Sequence, residues 1–548
     1  MRLKGSLIAR LLLAGLAVTP AVQAAPTRKC ESLTMLKLPH ATIVSAKTIA
    51  AGPTTITTFL GPTKLDVPAR CEVRAVSRPS SDSEIGFELW LPLTGWNGKY
   101  QQKGNGGFAG TVNRAALVDP LRRGYAVAAT DDGHDATKTP QGTFALGHPE
   151  KLIDFSYRAV HDTSEQAKAI AAAFYGKPPA GSYFVGCSDG GREALMEAQR
   201  FPEDFNGILA GAPASDWSHL FTSFAWNELA LSKERIPIEK LPVIQRAVVA
   251  ACDAADGLKD GLVSNPLACH FDPAVLACKG ADAKDCLTSA QLDTLKTLYA
   301  GPKNPRTGEQ LFPGLLASGT EAMPMNWPVW VLGMSAGQSA QAGFATSYFR
   351  DVVFERPDWQ LRSIDFDRDV RASDEKVAPI INATNPDLRS FRAHGGKLLQ
   401  YHGWSDSAIV ASSSIEYYQA VRSFLSTVPD PRSPSKSVED FYRLFMVPGM
   451  AHCSGGAGPV HFGNDATDFG TASASTDPEH DVFTALVQWV EQGVAPDSIV
   501  VTSSGSSPTS RILCPWPLQP TYIGPRGSNA ENTPSNWVAS NFECRAPQ

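Results

Sequence analysis

Residues 181–202 read GSYFVGCSDGGREALMEAQRFP. A short apolar run, Tyr183 to Gly186, is followed by a serine between small residues and then by a helix-forming stretch. The order is strand, tight turn, helix, with Ser188 at the centre of a G-x-S-x-G pattern. Gly186 and Gly190 allow strand and helix to approach closely, and the turn lifts the serine hydroxyl clear of the backbone. The spacing predicts a helix from about Gly191 that stops near Pro202. A serine hydroxyl is a poor nucleophile until a base takes its proton, so the pattern requires partners elsewhere in the chain.

The surrounding text supports a sheet that can carry such a turn. CEVRAVSRP and IGFELWLPL alternate apolar and polar residues as half-buried strands do. GWNGKYQQKGNGGFAG reads as a short strand running into a glycine-rich loop, and GYAVAATDDG as a buried parallel strand. FSYRAVHDTSEQAKAIAAAFYG has helical spacing with a glycine stop, and FNGILAGAPA is the next strand. This alternation predicts an α/β fold, a parallel sheet flanked by helices. It breaks over residues 215–388, which are irregular, rich in tryptophan and proline, and hold four cysteines. Strands resume in GGKLLQYHGWSD and FYRLFMVPGMAHC. The expected organisation is a core in two parts, 25–214 and 389–548, with 215–388 inserted as a lid domain. The tail after residue 503 is expected to be ordered coil and edge structure pinned by Cys514 and Cys544.

The chain has 548 residues, enough for one large domain with an insertion or for two to three domains, and 43% hydrophobic residues supply a sizeable core. A net charge of −6 without a basic run argues against a nucleic-acid partner. At the N-terminus, Arg2, Lys4 and Arg10 precede a short apolar stretch, and VQA precedes Ala25. This is the layout of a cleaved signal peptide over residues 1–24. The apolar run is too short to span a bilayer. The expectation is an exported protein, periplasmic or secreted, with no membrane association after cleavage. Ten cysteines, an even count in an exported chain, read as five disulfides, and the absence of any C-x-x-C pair argues against zinc.

An acid and then a histidine should follow the serine at the ends of later strands. Asp406 closes one strand pattern and His452 the next, both at C-terminal strand ends, where open α/β sheets place their sites. Of the competing histidines, His161 lies within a helical pattern, His402 is expected to order the acid's loop, and His134 lies upstream of the serine but could line the site. The backbone N–H of Asp189 and that of Gly107 (or its neighbour Gly106) are the expected oxyanion donors, since glycines let a loop approach a ligand. Cys187 precedes the serine and Cys453 follows the histidine. Serine and base must lie within hydrogen-bond reach, which brings these cysteines towards disulfide range. The rival reading makes Cys187 a thiol nucleophile.

Asp253, Asp256 and Asp260 alternate with glycines in CDAADGLKDGLV, and hard oxygen ligands at this spacing suit Ca²⁺. In the inserted segment, Trp327, Trp330, Phe344, Tyr348 and Phe349 could enclose an aromatic ring, with Phe344 and Tyr348 the chosen substrate contacts.

Cys187-Ser188, Asp406 and His452-Cys453, with WNGK, GNGG, YHGWSD and VPGMAHCSGG, resemble the CS-D-HC signature of the tannase/feruloyl esterase family over nearly the whole chain after residue 24. The resemblance implies an α/β-hydrolase fold with a large inserted lid. It also implies ester hydrolysis through an acyl-enzyme and a small aromatic ester as substrate, with no organic cofactor. It implies the pairings Cys30–Cys71, Cys187–Cys453, Cys252–Cys269, Cys278–Cys286 and Cys514–Cys544. It further implies a structural calcium held by Asp253, Asp256, Asp260 and the carbonyls of Leu258 and Leu262. One branch of the family hydrolyses mono(2-hydroxyethyl) terephthalate and grips the free carboxylate with an arginine. Ala340 or a neighbour falls there in this chain and Arg350 lies further on, which favours hydroxycinnamate or gallate esters without separating the two. The alternatives are a terephthalate-type monoester hydrolase and a non-catalytic calcium-binding scaffold protein.

Overall fold

Strands built almost wholly from apolar and small residues, such as AVAAT at 126–130 and GSYFVGC at 181–187, can only be stable with both faces covered. The computed structural model, which describes residues 26–58, 61–428, 437–464, 475–504, 508–527 and 532–547, covers them in this way. The expected signal segment 1–24 lies outside the described residues.

The central sheet contains β1 (Ala41–Ile49), β2 (Arg70–Ser77), β3 (Ile85–Pro92), β4 (Lys99–Lys103), β5 (Ala126–Thr130), β6 (Gly181–Cys187), β7 (Gly207–Gly211), β8 (Lys397–Gly403) and β9 (Tyr442–Val447). Their order is β1-β2-β3-β5-β4-β6-β7-β8-β9. The first three strands form an antiparallel lead that joins β5. From β5 onward every neighbouring pair is parallel. This is the α/β-hydrolase fold.

The helices that position the site are α1 (Ala159–Tyr175), α2 (Asp189–Arg200), α3 (Trp217–Lys233), α4 (Ala340–Ser347), α5 (Ser412–Thr427) and α6 (Val482–Gln492). On one face of the sheet, Val160, Ile170, Leu195, Met196 and Ile415 from α1, α2 and α5 bury Phe184, Ile208, Leu398 and Leu444. On the other, Phe483 and Leu486 of α6 pack on Tyr183, Leu209, Leu399 and Phe445. The Arg123 guanidinium ties this helix to the sheet through Asp481 at 2.8 Å.

Residues 212–396, between β7 and β8, build a further core together with Phe108, Phe144, Leu152, Phe155 and Ile409. They are more regular than the sequence suggests. Helix α3 buries Trp217, Ser218, Leu220, Phe221, Thr222, Phe224, Ala225 and Leu231, so it has no polar face from which an amphipathic stripe could be read. Disulfides join Cys30–Cys71, Cys187–Cys453, Cys252–Cys269, Cys278–Cys286 and Cys514–Cys544. The last of these links two small antiparallel pairs in the tail, Ile499–Thr502 with Ser510–Leu513 and Gln519–Tyr522 with Phe542–Arg545. Among the described residues no helix is long and apolar enough to cross a membrane.

Candidate active site

Ser188 sits between β6 and α2 with φ 66° and ψ −121°. A non-glycine residue adopts this conformation only when its surroundings hold it there. The Ser188 N–H donates to Gly211 O at 3.0 Å, and its carbonyl accepts from Gly191, Arg192 and Ala214. Helix α2 therefore starts at Asp189, two residues earlier than expected, with the serine as its cap. Close approach explains the flanking glycines. A Cβ on Gly186 would lie 2.4 Å from Gly190 O, and one on Gly190 would lie 2.8 Å from Asn105 O.

The three residues expected to act together are brought together. His452 Nε2 lies 2.8 Å from Ser188 Oγ, and His452 Nδ1 lies 2.7 Å from Asp406 Oδ2. Asp406 Oδ1 accepts the N–H groups of Ala408 and Ile409, each at 2.8 Å. Burial alone would raise the Asp406 pKa, but the charge of His452 and hydrogen bonds from His402 and His452 outweigh it and hold the carboxyl well below the usual range. With Asp406 ionised, His452 donates through Nδ1, leaving Nε2 to accept the serine proton. The Cys187–Cys453 bridge, with 5.9 Å between Cα atoms, joins the residue before the serine to the residue after the histidine.

The Asp189 N–H is the first of α2 and has no acceptor within the helix. Gly107, at φ 58°, faces the same space from the glycine-rich loop. That loop is anchored by Gly190 N–H to Asn105 O and by Asn105 N–H to Glu193 Oε2, both at 2.9 Å. Glu193 belongs to a buried group with Asp132 and Asp189, whose oxygens lie within 4.8 Å of one another and could hold a metal. Burial, with the neighbouring charges of Glu193 and Asp189, pushes Asp132 well above the ordinary carboxyl range. Arg192 donates to Asp189 at 2.6 Å and is itself fully buried.

Ser188 and His452 open onto a cavity of about 360 Å³, counting its mouth. Its wall is Trp217, Leu220, Phe221 and Phe224 from α3, Trp330 and Phe344, with Ala214, Ala408 and Ile409. Trp330 meets the His452 ring edge-on at 5.3 Å. Phe344 lines the cavity as expected of a substrate contact, but Tyr348 does not. The helix widens at Tyr348–Val353, and the Tyr348 ring packs behind Phe221 at 4.9 Å with its hydroxyl 2.6 Å from Ser373 Oγ. Trp327 and Phe349 are also buried away from the cavity. Arg350 is paired with Asp351 at 2.7 Å. His134 stacks on Phe144 at 4.1 Å, and burial pushes it down to about 4. His161 stacks on Phe201 and bonds Asp204.

The α3 residues are the ones sequence reasoning missed. Trp217, Leu220, Phe221 and Phe224 stand at i, i+3, i+4 and i+7, which places them on one helix face. The signal was present but lay inside a segment apolar on every side.

The expected calcium loop follows the helix Leu241–Cys252. Its three carboxylates do not converge as Asp132, Asp189 and Glu193 do. Asp253 Oδ1 accepts from the N–H groups of Asp260 and Gly261, and Asp256 Oδ2 accepts from Ser264 at 2.6 Å. The buried Arg511 guanidinium pairs with Asp260 and lies 3.5 Å from Asp256. Lys259 and the Arg526 guanidinium beside Gly257 add positive charge to the same loop. Its carboxylate and carbonyl oxygens are hard donors of the kind that Ca²⁺ takes.

Comparison with known proteins places this geometry. Residues 71–536 match the family described as Tannase and feruloyl esterase. An uncharacterized esterase from Xanthomonas campestris is 41% identical, covering 98% of this chain and 94% of its own. The mono(2-hydroxyethyl) terephthalate hydrolase of Piscinibacter sakaiensis is 32% identical over 88% of this chain and 85% of its own. Feruloyl esterase B from Aspergillus oryzae superimposes with a TM-score of 0.81 at 29% identity, covering 94% of this chain and 99% of its own. The chain belongs to the tannase and feruloyl esterase family of carboxylic ester hydrolases.

Proposed function

We propose that the protein is an exported serine esterase that hydrolyses hydroxycinnamate-type aromatic esters through an acyl-enzyme. Ser188 Oγ attacks the ester carbonyl as His452 Nε2 takes its proton, and Asp406 orients the imidazole and stabilises its charged form. The N–H groups of Asp189 and Gly107 receive the oxyanion. His452 then returns its proton to the departing alkoxide. Water, deprotonated by the same imidazole, releases the acid and restores Ser188.

The observation that carries the acyl preference is the cavity wall. Apart from Ser188, Asp189 and His452, its side chains are apolar or aromatic. An aromatic ring gains from burial there. Each acyl hydroxyl left without a partner costs about 1–3 kcal/mol. A gallate carries three such groups and a ferulate one, with a methoxy group. No arginine or lysine is in the wall to receive a free carboxylate, so the terephthalate monoester ranks below both. The inserted segment 215–388 acts as the lid that supplies the acyl wall. Asp253, Asp256, Asp260 and the carbonyls of Leu258 and Leu262 would hold a structural Ca²⁺ through hard oxygen donors, and it would carry no step of the reaction.

The test is a substrate panel of methyl ferulate, methyl gallate, chlorogenate and the terephthalate monoester, run beside phosphonate labelling of Ser188. Methyl ferulate should exceed methyl gallate in kcat/KM by about tenfold or more, from one or two unpaired hydroxyls. A preference for gallate would overturn the acyl assignment. Active protein that fails to label at Ser188 would overturn the mechanism.

A further inference from the structure

Asp406 is bound by two imidazoles rather than one. His402, at the end of β8, is fully buried, and its Nε2 lies 3.3 Å from Asp406 Oδ2, the oxygen that also meets His452. The same Nε2 is 3.0 Å from Ile409 O. A carboxylate and a carbonyl can only accept, so Nε2 carries the hydrogen. His402 Nδ1 lies 2.7 Å from Ser414 Oγ, on α5. That oxygen already accepts from Gln400 Nε2 at 2.6 Å, and the Tyr442 hydroxyl donates to Gln400 Oε1. Ser414 Oγ keeps one lone pair and its hydrogen for the contact with His402 Nδ1. Gln400, Ser414 and Tyr442 are also fully buried. His402 therefore gives its Nε2 hydrogen to Ile409 O, with Asp406 Oδ2 3.3 Å from the same nitrogen.

We propose that His402 is a positioning residue of the esterase, a second imidazole that clamps Asp406 and sets the pH at which His452 becomes free to act as base. This rests on Ser188, His452 and Asp406 being the catalytic residues. Ala408 and Ile409 hold Oδ1, His452 holds Oδ2, and His402 holds the Ile409 carbonyl beside them, so the carboxylate plane is braced at both ends. The Nε2–H dipole, 3.3 Å from Oδ2, also draws charge from that oxygen. If that donor is lost, protonated His452 faces a more concentrated charge and is released as base only at higher pH. The titratable groups facing Asp406 are His402 from β8 and His452 from the loop after β9. Helix α5 contributes the Ser414 hydroxyl, and Tyr442 stands at the far end of the chain of hydrogen bonds.

The experiment compares His402→Leu with His402→Gln, whose amide nitrogen can replace the Nε2 donor, on wild-type enzyme first shown to label at Ser188. In His402→Leu the acid limb of kcat/KM should move up by about 0.5 pH unit or more, and kcat should fall roughly tenfold or more with KM nearly unchanged. His402→Gln should keep the limb near its wild-type position. Ser414→Ala, which removes the partner of His402 Nδ1, should shift the limb in the same direction and provides a reading if the leucine variant does not fold. An unmoved limb in His402→Leu or Ser414→Ala, or an equal shift in leucine and glutamine variants, would overturn the role. Absence of Ser188 labelling in the wild type would instead overturn the triad beneath it.

Discussion

Gly107→Ala separates an oxyanion donor from an ordinary turn. The residue has φ 58°, and a methyl group there would lie 3.3 and 3.4 Å from two ring carbons of Phe344. The left-handed backbone costs a non-glycine residue about 1–2 kcal/mol. The tight contact adds to this, because Phe344 is itself stacked on Phe108 and Phe221 and cannot retreat freely. The protein should stay folded, with a melting temperature lower by a few degrees. Relief of strain by tilting the 106–108 peptides would take the Gly107 N–H off the oxyanion, and losing one such donor costs about 10²–10³ in kcat. The assay is kcat and KM on methyl ferulate beside a thermal melt. Gly106→Ala is the control, since nothing lies within 4 Å of its added Cβ and its φ is not positive. If Gly107→Ala kept kcat within about threefold of wild type while its melting temperature fell, Gly107 would be a turn residue and the donor would have to be sought elsewhere.

Three further outcomes are expected. Replacing Cys187 and Cys453 together by alanine should reduce turnover more than fold, measured as kcat against the circular-dichroism spectrum; unchanged turnover would refute a role for the bridge in positioning serine and base. Chelation of calcium should lower the melting temperature with little change in kcat at temperatures where the protein stays folded, and an unchanged melting temperature would count against the loop. His219 lies between Asp216 at 3.0 Å and Asp374 at 3.2 Å. Burial would lower it, but its hydrogen bonds to the two carboxylates and their charges lift it to about 10. A raised folded pKa stabilises fully below the unfolded value, near 6.5, and the contribution fades as pH rises to about 10. The melting-temperature gap between wild type and His219→Gln should therefore be widest below pH ~6.5 and close towards ~10; a gap constant across that window would refute the linkage.

The parts legible in the sequence were those with a local grammar. The turn at Ser188 announces itself through the glycines that its backbone contacts require, and the family motifs carried the fold with it. The acid and base could be named because each ends an apolar strand in a fixed chain order. The acyl wall was hidden for the opposite reason. Trp217, Leu220, Phe221 and Phe224 lie on a helix enclosed by its own segment and by the core, so the text shows apolar residues without a polar counter-face. Tyr348 does not reach the wall because aromatic content alone does not say which way a ring points, and the helix widens from Tyr348 with its ring behind Phe221. His402 reads as ordering the acid's loop; its tie to Ser414 depends on how the turn after β8 folds back on α5, which no short stretch of sequence encodes.

The proposed bond-breaking groups and the α3 wall come from different parts of the chain. Ser188, Asp406 and His452 stand at the ends of β6, β8 and β9, whereas the larger part of the aromatic wall is carried by the stretch between β7 and β8. Reactivity and selectivity are thereby separable by design. Residues such as Leu220 or Phe224 can be exchanged to admit a wider or more polar acid while the hydrogen bonds of the reacting groups are left alone, so the molecule is a natural scaffold for retargeting one hydrolytic engine to new esters.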